Sequence, residues 1–143
     1  MFSFGTRSRA ILDTCHTDLI RLGEEAIKDS KVDFACTDGY RTAETQARKV
    51  AEGLTKVAFS KHQHSPSLAV HFEPWPILYP EAGLAAMENT KRYARYYMLA
   101  GYIMIVAERL GIPIRWGGDW DGDHDIMDQT FDDLAHFELA DRV

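Results

Sequence analysis

The stretch Ser60-Lys61-His62-Gln63-His64-Ser65-Pro66-Ser67-Leu68-Ala69-Val70-His71-Phe72-Glu73-Pro74 passes from a polar, His-rich loop into a largely apolar run that ends at a proline. The pattern over Leu68 to Glu73 predicts a strand, whose successive side chains leave on opposite faces. His71 and Glu73 then share a face. Far along the chain, Phe131-Asp132-Asp133-Leu134-Ala135-His136-Phe137-Glu138-Leu139 predicts a second strand that carries a histidine of its own. Two neighbouring strands, with the loop that precedes the first, can bring three imidazoles to one point.

Outward from these strands, Ser8 to Leu12 predicts a short helix. Asp18 to Lys28 predicts another, with Leu19, Leu22, Ala26 and Ile27 at helical spacing. Val32 to Cys36 is a short apolar run, hence a strand, and Asp38-Gly39 is a turn signal. Thr42 is placed to cap a helix that reaches Glu52 and stops at Gly53. Pro74, Pro76 and Pro80 keep the chain extended and irregular before a long helix over Glu81 to Leu110. That helix sets Tyr93, Tyr97, Ala100, Met104 and Ala107 on one face and ends at Gly111 and Pro113. Ile112 to Trp116 predicts a strand, and Gly117 to Thr130 an acidic loop. The pattern is α+β: one compact domain over residues 1–143, a small antiparallel sheet with helices packed on it, and a metal site at the sheet.

The chain has 143 residues, 45% of them hydrophobic and 11% aromatic. That supplies one core without a disulfide scaffold and argues against bulk disorder. Cys15 and Cys36 are too few for a framework and read as reduced thiols. The longest apolar run, Tyr96 to Ala107, falls short of the ~20 residues that span a bilayer, so no membrane insertion is expected. Met1 to Gly5 shows no Sec-type signal, so synthesis in a cytosol is expected. The net charge of −6 is uneven: Gly117 to Val143 carries −8 and the residues before it +2. Such a tail disfavours nucleic acid as a partner and favours metal cations.

Catalytic zinc takes three protein ligands, usually His or a carboxylate, and leaves a position for water. Here the candidates are His62 or His64 from the loop, His71 or Glu73 from the first strand, and His136 from the last. Asp133 or Glu138 is near enough in sequence to shuttle a proton. Asp119, Asp121, Asp123 and Asp125 place carboxylates at every second position, like the front half of a calcium loop, without the full EF-hand spacing. A calcium site and a solvated acidic loop are the two readings. Trp75, Trp116 and Trp120 are candidates for a substrate groove, with core packing the default for Trp116.

These motifs, in this order, resemble the zinc D-alanyl-D-alanine carboxypeptidase and L-alanyl-D-glutamate peptidase family, specifically its compact phage endolysins. Ser60-Lys61-His62 is similar to the family's S-x-H, Ala69-Val70-His71 to its A-V-D, and Asp133-Leu134-Ala135-His136-Phe137-Glu138 to its D-x-x-H-x-E. Gly39-Tyr40-Arg41-Thr42 with Gln46 resembles its G-x-R-T…Q segment, and Gly117-Gly118-Asp119-Trp120 its GGDW. The resemblance implies zinc on His62, His71 and His136, and Asp133 as the carboxylate that activates water and protonates the leaving amine. It implies Arg41 as the holder of the substrate carbonyl or a developing oxyanion, with a plain salt bridge as the alternative. Gln46 and Trp75 are taken as substrate contacts, with a supporting or surface role open for Gln46. The chain departs from the family at His71, where the family has Asp. The exchange adds one positive charge to the site.

The implied activity is hydrolysis of peptidoglycan stem peptides, most simply at the L-alanyl-D-glutamate bond, by an endolysin in phage-driven lysis. The alternatives are a D-Ala-D-Ala carboxypeptidase or dipeptidase, and a metal-binding wall-associated module with impaired catalysis. The implied partners are peptidoglycan and a holin-type protein that opens the membrane. A monomer is expected, made in the host cytoplasm and acting at the cell wall.

Overall fold

The protein is described by a computed structural model over residues 1–141. Its elements run α1 (Thr6–Leu12), α2 (Thr17–Asp29), β1 (Phe34–Asp38), α3 (Ala43–Ala51), β2 (Ala69–Pro74), α4 (Ala86–Leu110), β3 (Ile114–Gly117) and β4 (Asp133–Leu139), with 3₁₀ turns at Lys61–Gln63 and Ile126–Asp128. The four strands form one antiparallel sheet in the order β1-β2-β4-β3. The fold is α+β, as the residue pattern predicts.

One face of the sheet carries Phe34, Val70, Phe72, Phe137 and Leu139 into a core closed by Leu12, Leu19 and Leu22 of the first helices and by Leu99, Ile103 and Val106 of α4. Phe4 and Phe34 each lie against Phe72, the first stacked and the second edge-on. α3 begins as expected: Thr42 Oγ1 accepts from Thr45 N at 3.1 Å, and Gly53 follows its end at φ 73°. Gly111 ends α4 at φ 69°, a backbone state that glycine adopts without the Cβ penalty.

Two expectations shift. α4 begins at Ala86 rather than Glu81, because Gly83 takes φ 91° and Asn89 brackets Glu81 with hydrogen bonds of 3.0 and 2.8 Å. Its buried face is Tyr96, Leu99, Ala100, Ile103, Val106 and Ala107, so Tyr93 lies half-exposed and Tyr97 and Met104 sit at the margin. The apolar run there is nearly continuous, and Met98 and Ile105 are exposed as well. Periodicity therefore could not fix the face. β1 starts at Phe34 rather than Val32, since Ser30 holds Val32 in a turn through its hydroxyl. No helix among the described residues is long and apolar enough to cross a membrane.

Candidate metal centre

His62 comes from the 3₁₀ turn, His71 from β2 and His136 from β4. Ser60 Oγ accepts from His62 N at 3.2 Å, and Gln63 Oε1 accepts from Ser60 N at 2.8 Å. This reciprocal cap fixes the backbone that carries His62. The β2–β4 register sets His71 directly opposite His136, so both rings leave the same side of the sheet.

Hydrogen bonds assign the ring tautomers. His62 Nδ1 donates to Gly39 O at 2.7 Å, and His136 Nε2 donates to Glu138 Oε1 at 2.9 Å. The remaining nitrogens, His62 Nε2 and His136 Nδ1, keep free lone pairs. His62 Nε2 is buried with no partner, and His136 Nδ1 lies 3.3 Å from His71 Nε2. One ring nitrogen from each histidine lies within 4.8 Å of the other two. A tetrahedral zinc with bonds of ~2.0–2.1 Å spaces its ligand nitrogens ~3.3–3.4 Å apart. The donor set, its spacing and the orphaned nitrogen of His62 all fit such an ion.

The electrostatics agree. Burial, and then the neighbouring His136, lower the pKa of His62. Burial, and then His62 and His136, hold His71 well below the usual imidazole value. A metal ligand must be unprotonated, and these rings are neutral at neutral pH. Asp133 Oδ2 lies 3.8 Å from both His71 Nε2 and His136 Nδ1. Burial raises the pKa of Asp133, with His136 and Arg41 pulling against it. Glu138 stands behind His136. Burial alone would raise its pKa, but hydrogen bonds from His136 and Lys61 bring it down to about 2. Lys61 Nζ sits 2.9 Å from Glu138 Oε2 and also donates to Leu139 O.

Strict alternation would send Asp133 and His136 to opposite faces. The β3–β4 pairing breaks instead: Trp116 faces Phe137, while its neighbour Gly117 faces Asp133. This irregularity re-aims Asp133 toward the imidazoles, a familiar use of a bulge beside a site. Gly117 permits it, since a Cβ there would lie 2.1 Å from Asp133 O.

Arg41 is buried, with Nη2 on Asp38, Nη1 on Gln46 Oε1 at 2.7 Å, and Nε buried without a partner. Gln46 is 0% exposed, and its Nε2 donates to Val57 O at 2.5 Å. Gln46 is thus no surface residue and reaches no open space; it braces Arg41. Trp75 is 56% exposed and lines a cavity of about 900 Å³ with His71, Glu73 and Asp133. Glu73 is occupied elsewhere, accepting from Tyr96 Oη at 2.8 Å, and His64 packs edge-on against Phe59. Trp116 is buried and donates to Leu134 O at 2.8 Å, and Trp120 tilts over the His136 ring at 5.4 Å.

In the acidic loop, carboxylate oxygens of Asp119, Asp121 and Asp123 lie within 4.8 Å of one another. Asp119 Oδ1 is buried and has no hydrogen-bond partner. Asp125 does not join them: its Oδ1 accepts from Met127 N at 2.9 Å and caps the second 3₁₀ turn. The residues that composition and spacing missed are Gly39, whose carbonyl orients His62, and Gly117. Glu138 appeared in the sequence only as a proton carrier, although a carboxylate two residues from a strand histidine shares its face and can hold its ring.

Fold and cluster together define a small α+β protein with three imidazoles, suited to a metal ion, gathered on one side of an antiparallel sheet. The chain belongs to the family described as phage L-alanyl-D-glutamate peptidase, whose model matches residues 1–140. It is 28% identical over 144 residues to the L-alanyl-D-glutamate peptidase of Escherichia phage T5, a match covering 97% of this chain and 98% of that protein. The crystal structure of the Serratia marcescens L-Ala D-Glu endopeptidase ChiX matches with a TM-score of 0.69 at 27% identity, over 96% of this chain and 90% of that one.

Proposed function

We propose that the protein is a zinc-dependent L-alanyl-D-glutamate peptidase that cuts peptidoglycan stem peptides as a phage endolysin. The observation that carries this reading is the trio of converging imidazoles with the Asp133 carboxylate 3.8 Å from two of them. His62, His71 and His136 would hold the ion. Zinc there supplies a Lewis acid that polarises a carbonyl and lowers the pKa of water to ~7.

The rest falls to this chain's own side chains. Asp133 accepts the proton of the attacking water and returns it to the leaving amine. Its raised pKa suits a group that must take and release a proton, a role worth about 100- to 10,000-fold in rate. Arg41 keeps donors beyond those spent on Asp38 and Gln46, and so can steady the substrate carbonyl as negative charge develops. Gln46 and Asp38 fix that guanidinium in place. Trp75 offers an exposed ring at the mouth of the cavity. With His71 in place of a carboxylate, Asp133 is the nearest anion to balance the ion's charge. The trio Asp119, Asp121 and Asp123 is a second cation site, for calcium, supported by the partnerless Asp119 Oδ1.

In this role the protein is made in the host cytoplasm, works as a monomer, and meets the wall once a holin-type partner has opened the membrane. The test is digestion of purified peptidoglycan with zinc-loaded protein, followed by mass spectrometry. Peptides beginning at D-Glu, with L-Ala left on the glycan side, are expected. Release of D-Ala instead, or no zinc bound at neutral pH, overturns the proposal.

A further inference from the structure

Cleavage of an L-alanyl-D-glutamate bond places D-Glu on the leaving side. In the stem peptide the chain continues through the side-chain carboxyl of that residue. Its other carboxyl is therefore borne on the carbon that carries the leaving nitrogen. A carboxylate so close to the reacting bond needs a positive partner beside the metal centre, outside the ion's own ligands.

The cavity at the centre has two cations in its wall, Arg7 and Lys49. Arg41 lies close by, but two of its nitrogens are held by Asp38 and Gln46, and its remaining donors are those assigned above to the substrate carbonyl. Lys49 lies on α3 three residues after Gln46, hence on the same face of that helix. Gln46 turns inward to brace Arg41, while Lys49, half-buried one turn on, borders the cavity together with His71 and Asp133. No carboxylate among the described residues pairs with its ammonium. Two of the other acids in the wall are engaged: Asp38 with Arg41, Glu73 with the hydroxyls of Tyr96 and Tyr79. Lys49 is thus an uncompensated positive point charge at the edge of the reacting centre, on a stem flexible enough to follow a ligand.

We propose that the Lys49 ammonium is the subsite for the free carboxylate of the D-Glu residue, and that it sets a preference for D-Glu over the neutral residue in which that carboxyl is an amide. This rests on the L-alanyl-D-glutamate reading above. Lys49 acts in binding; it takes no proton and breaks no bond.

The experiment compares two muropeptides that differ only in that group, acid against amide, with zinc-loaded wild-type, Lys49→Met and Lys49→Arg proteins. Zinc content and thermal melting show that each variant is folded and loaded. Wild-type protein should prefer the acid. In Lys49→Met the acid-to-amide ratio of kcat/KM should fall about 10- to 100-fold, as expected for loss of a charge-assisted hydrogen bond, with most of the change in KM. Lys49→Arg should recover most of the ratio, because the charge is kept. An unchanged ratio in Lys49→Met, with wild-type protein cutting the acid, overturns the subsite alone. Zinc-loaded wild-type protein that cuts neither peptide overturns the peptidase reading, and the subsite with it.

Discussion

Replacing Gly117 by alanine should separate metal binding from turnover. The glycine sits where β3 and β4 lose register, opposite Asp133. An added Cβ would stand 2.1 Å from Asp133 O, 2.9 Å from its carbonyl carbon and 3.0 Å from its Cβ. A carbon and a carbonyl oxygen approach to about 3.3 Å at closest, so one strand must move by roughly 1 Å. The obstructing atoms are backbone, and no side-chain rotation relieves them. The three imidazoles hang from other points, so Gly117→Ala should still bind zinc. Asp133 should be displaced from the position 3.8 Å from His71 and His136, and a misplacement of that size costs about 100-fold in kcat/KM. Overpacking adds about 1–3 kcal/mol of destabilisation, or a fall in Tm of roughly 3–10 °C for a chain of this size. Muropeptide kinetics, zinc analysis and a thermal melt on one preparation read all three quantities. Wild-type turnover with an unshifted melt would refute the placement of Asp133 by this glycine.

Glu138→Gln removes the anion that holds His136 Nε2 and should weaken zinc affinity about 10- to 100-fold, read by competition with a chelator; unchanged affinity would show that the ring needs no such brace. Burial pushes the Cys15 thiol up to about 12 and raises Cys36 as well, so neither should react with a thiol reagent at mildly alkaline pH until the chain unfolds; labelling of the native protein at the unfolded rate would contradict this. Because the unfolded thiols ionise near ~8.5, these groups contribute stability that is complete below that pH and is lost as pH rises through the folded value; urea midpoints across the alkaline range should fall accordingly. Millimolar calcium should change the fluorescence of Trp120, which follows Asp119 directly, and Asp119→Asn should abolish the change; silence of the wild-type protein would retire the acidic loop as a calcium site.

The pairing of His71 with His136 is readable in the sequence, because alternation on two strands and one register settle which rings meet. The helix caps at Thr42 and Gly111 are readable for the same kind of reason: each depends on a few adjacent residues. Asp133 is different. Three residues before a strand histidine is the wrong parity for a shared face, and only the lost register opposite Gly117 corrects it. Resemblance pointed to Asp133, whereas periodicity alone would have turned it away. Gln46 shows a further limit. On a polar helix it reads as a substrate contact, with a supporting or a surface role open, and only the packing of the helix, which buries it fully against Arg41, favours the supporting role. The buried face of α4 escaped because a nearly continuous apolar run has no phase to read.

The two acids near His136 show how one sheet gives like groups opposite tasks. Both are carboxylates on β4, and both approach the same ring from either end. Glu138 receives the Nε2–H of His136 and the ammonium of Lys61 within 3 Å, with Arg115 at 3.6 Å. Its charge is answered on every side, so it stays ionised and acts as a fixed anion that orients the imidazole. Asp133 faces the lone-pair side, its side chain 35% exposed, and among the described residues no donor comes within hydrogen-bonding distance of its carboxylate. Partial burial raises its affinity for a proton, and the pull of His136 and Arg41 offsets that rise only in part. A group held that way is ready to take a proton from water and to surrender it to an amine, whereas Glu138 would have to break two ion-paired hydrogen bonds to do either. Separation of acid–base behaviour between neighbouring titratable groups is what environment-driven pKa tuning produces. On the proposed reading, Asp133 is the carboxylate whose environment suits proton transfer.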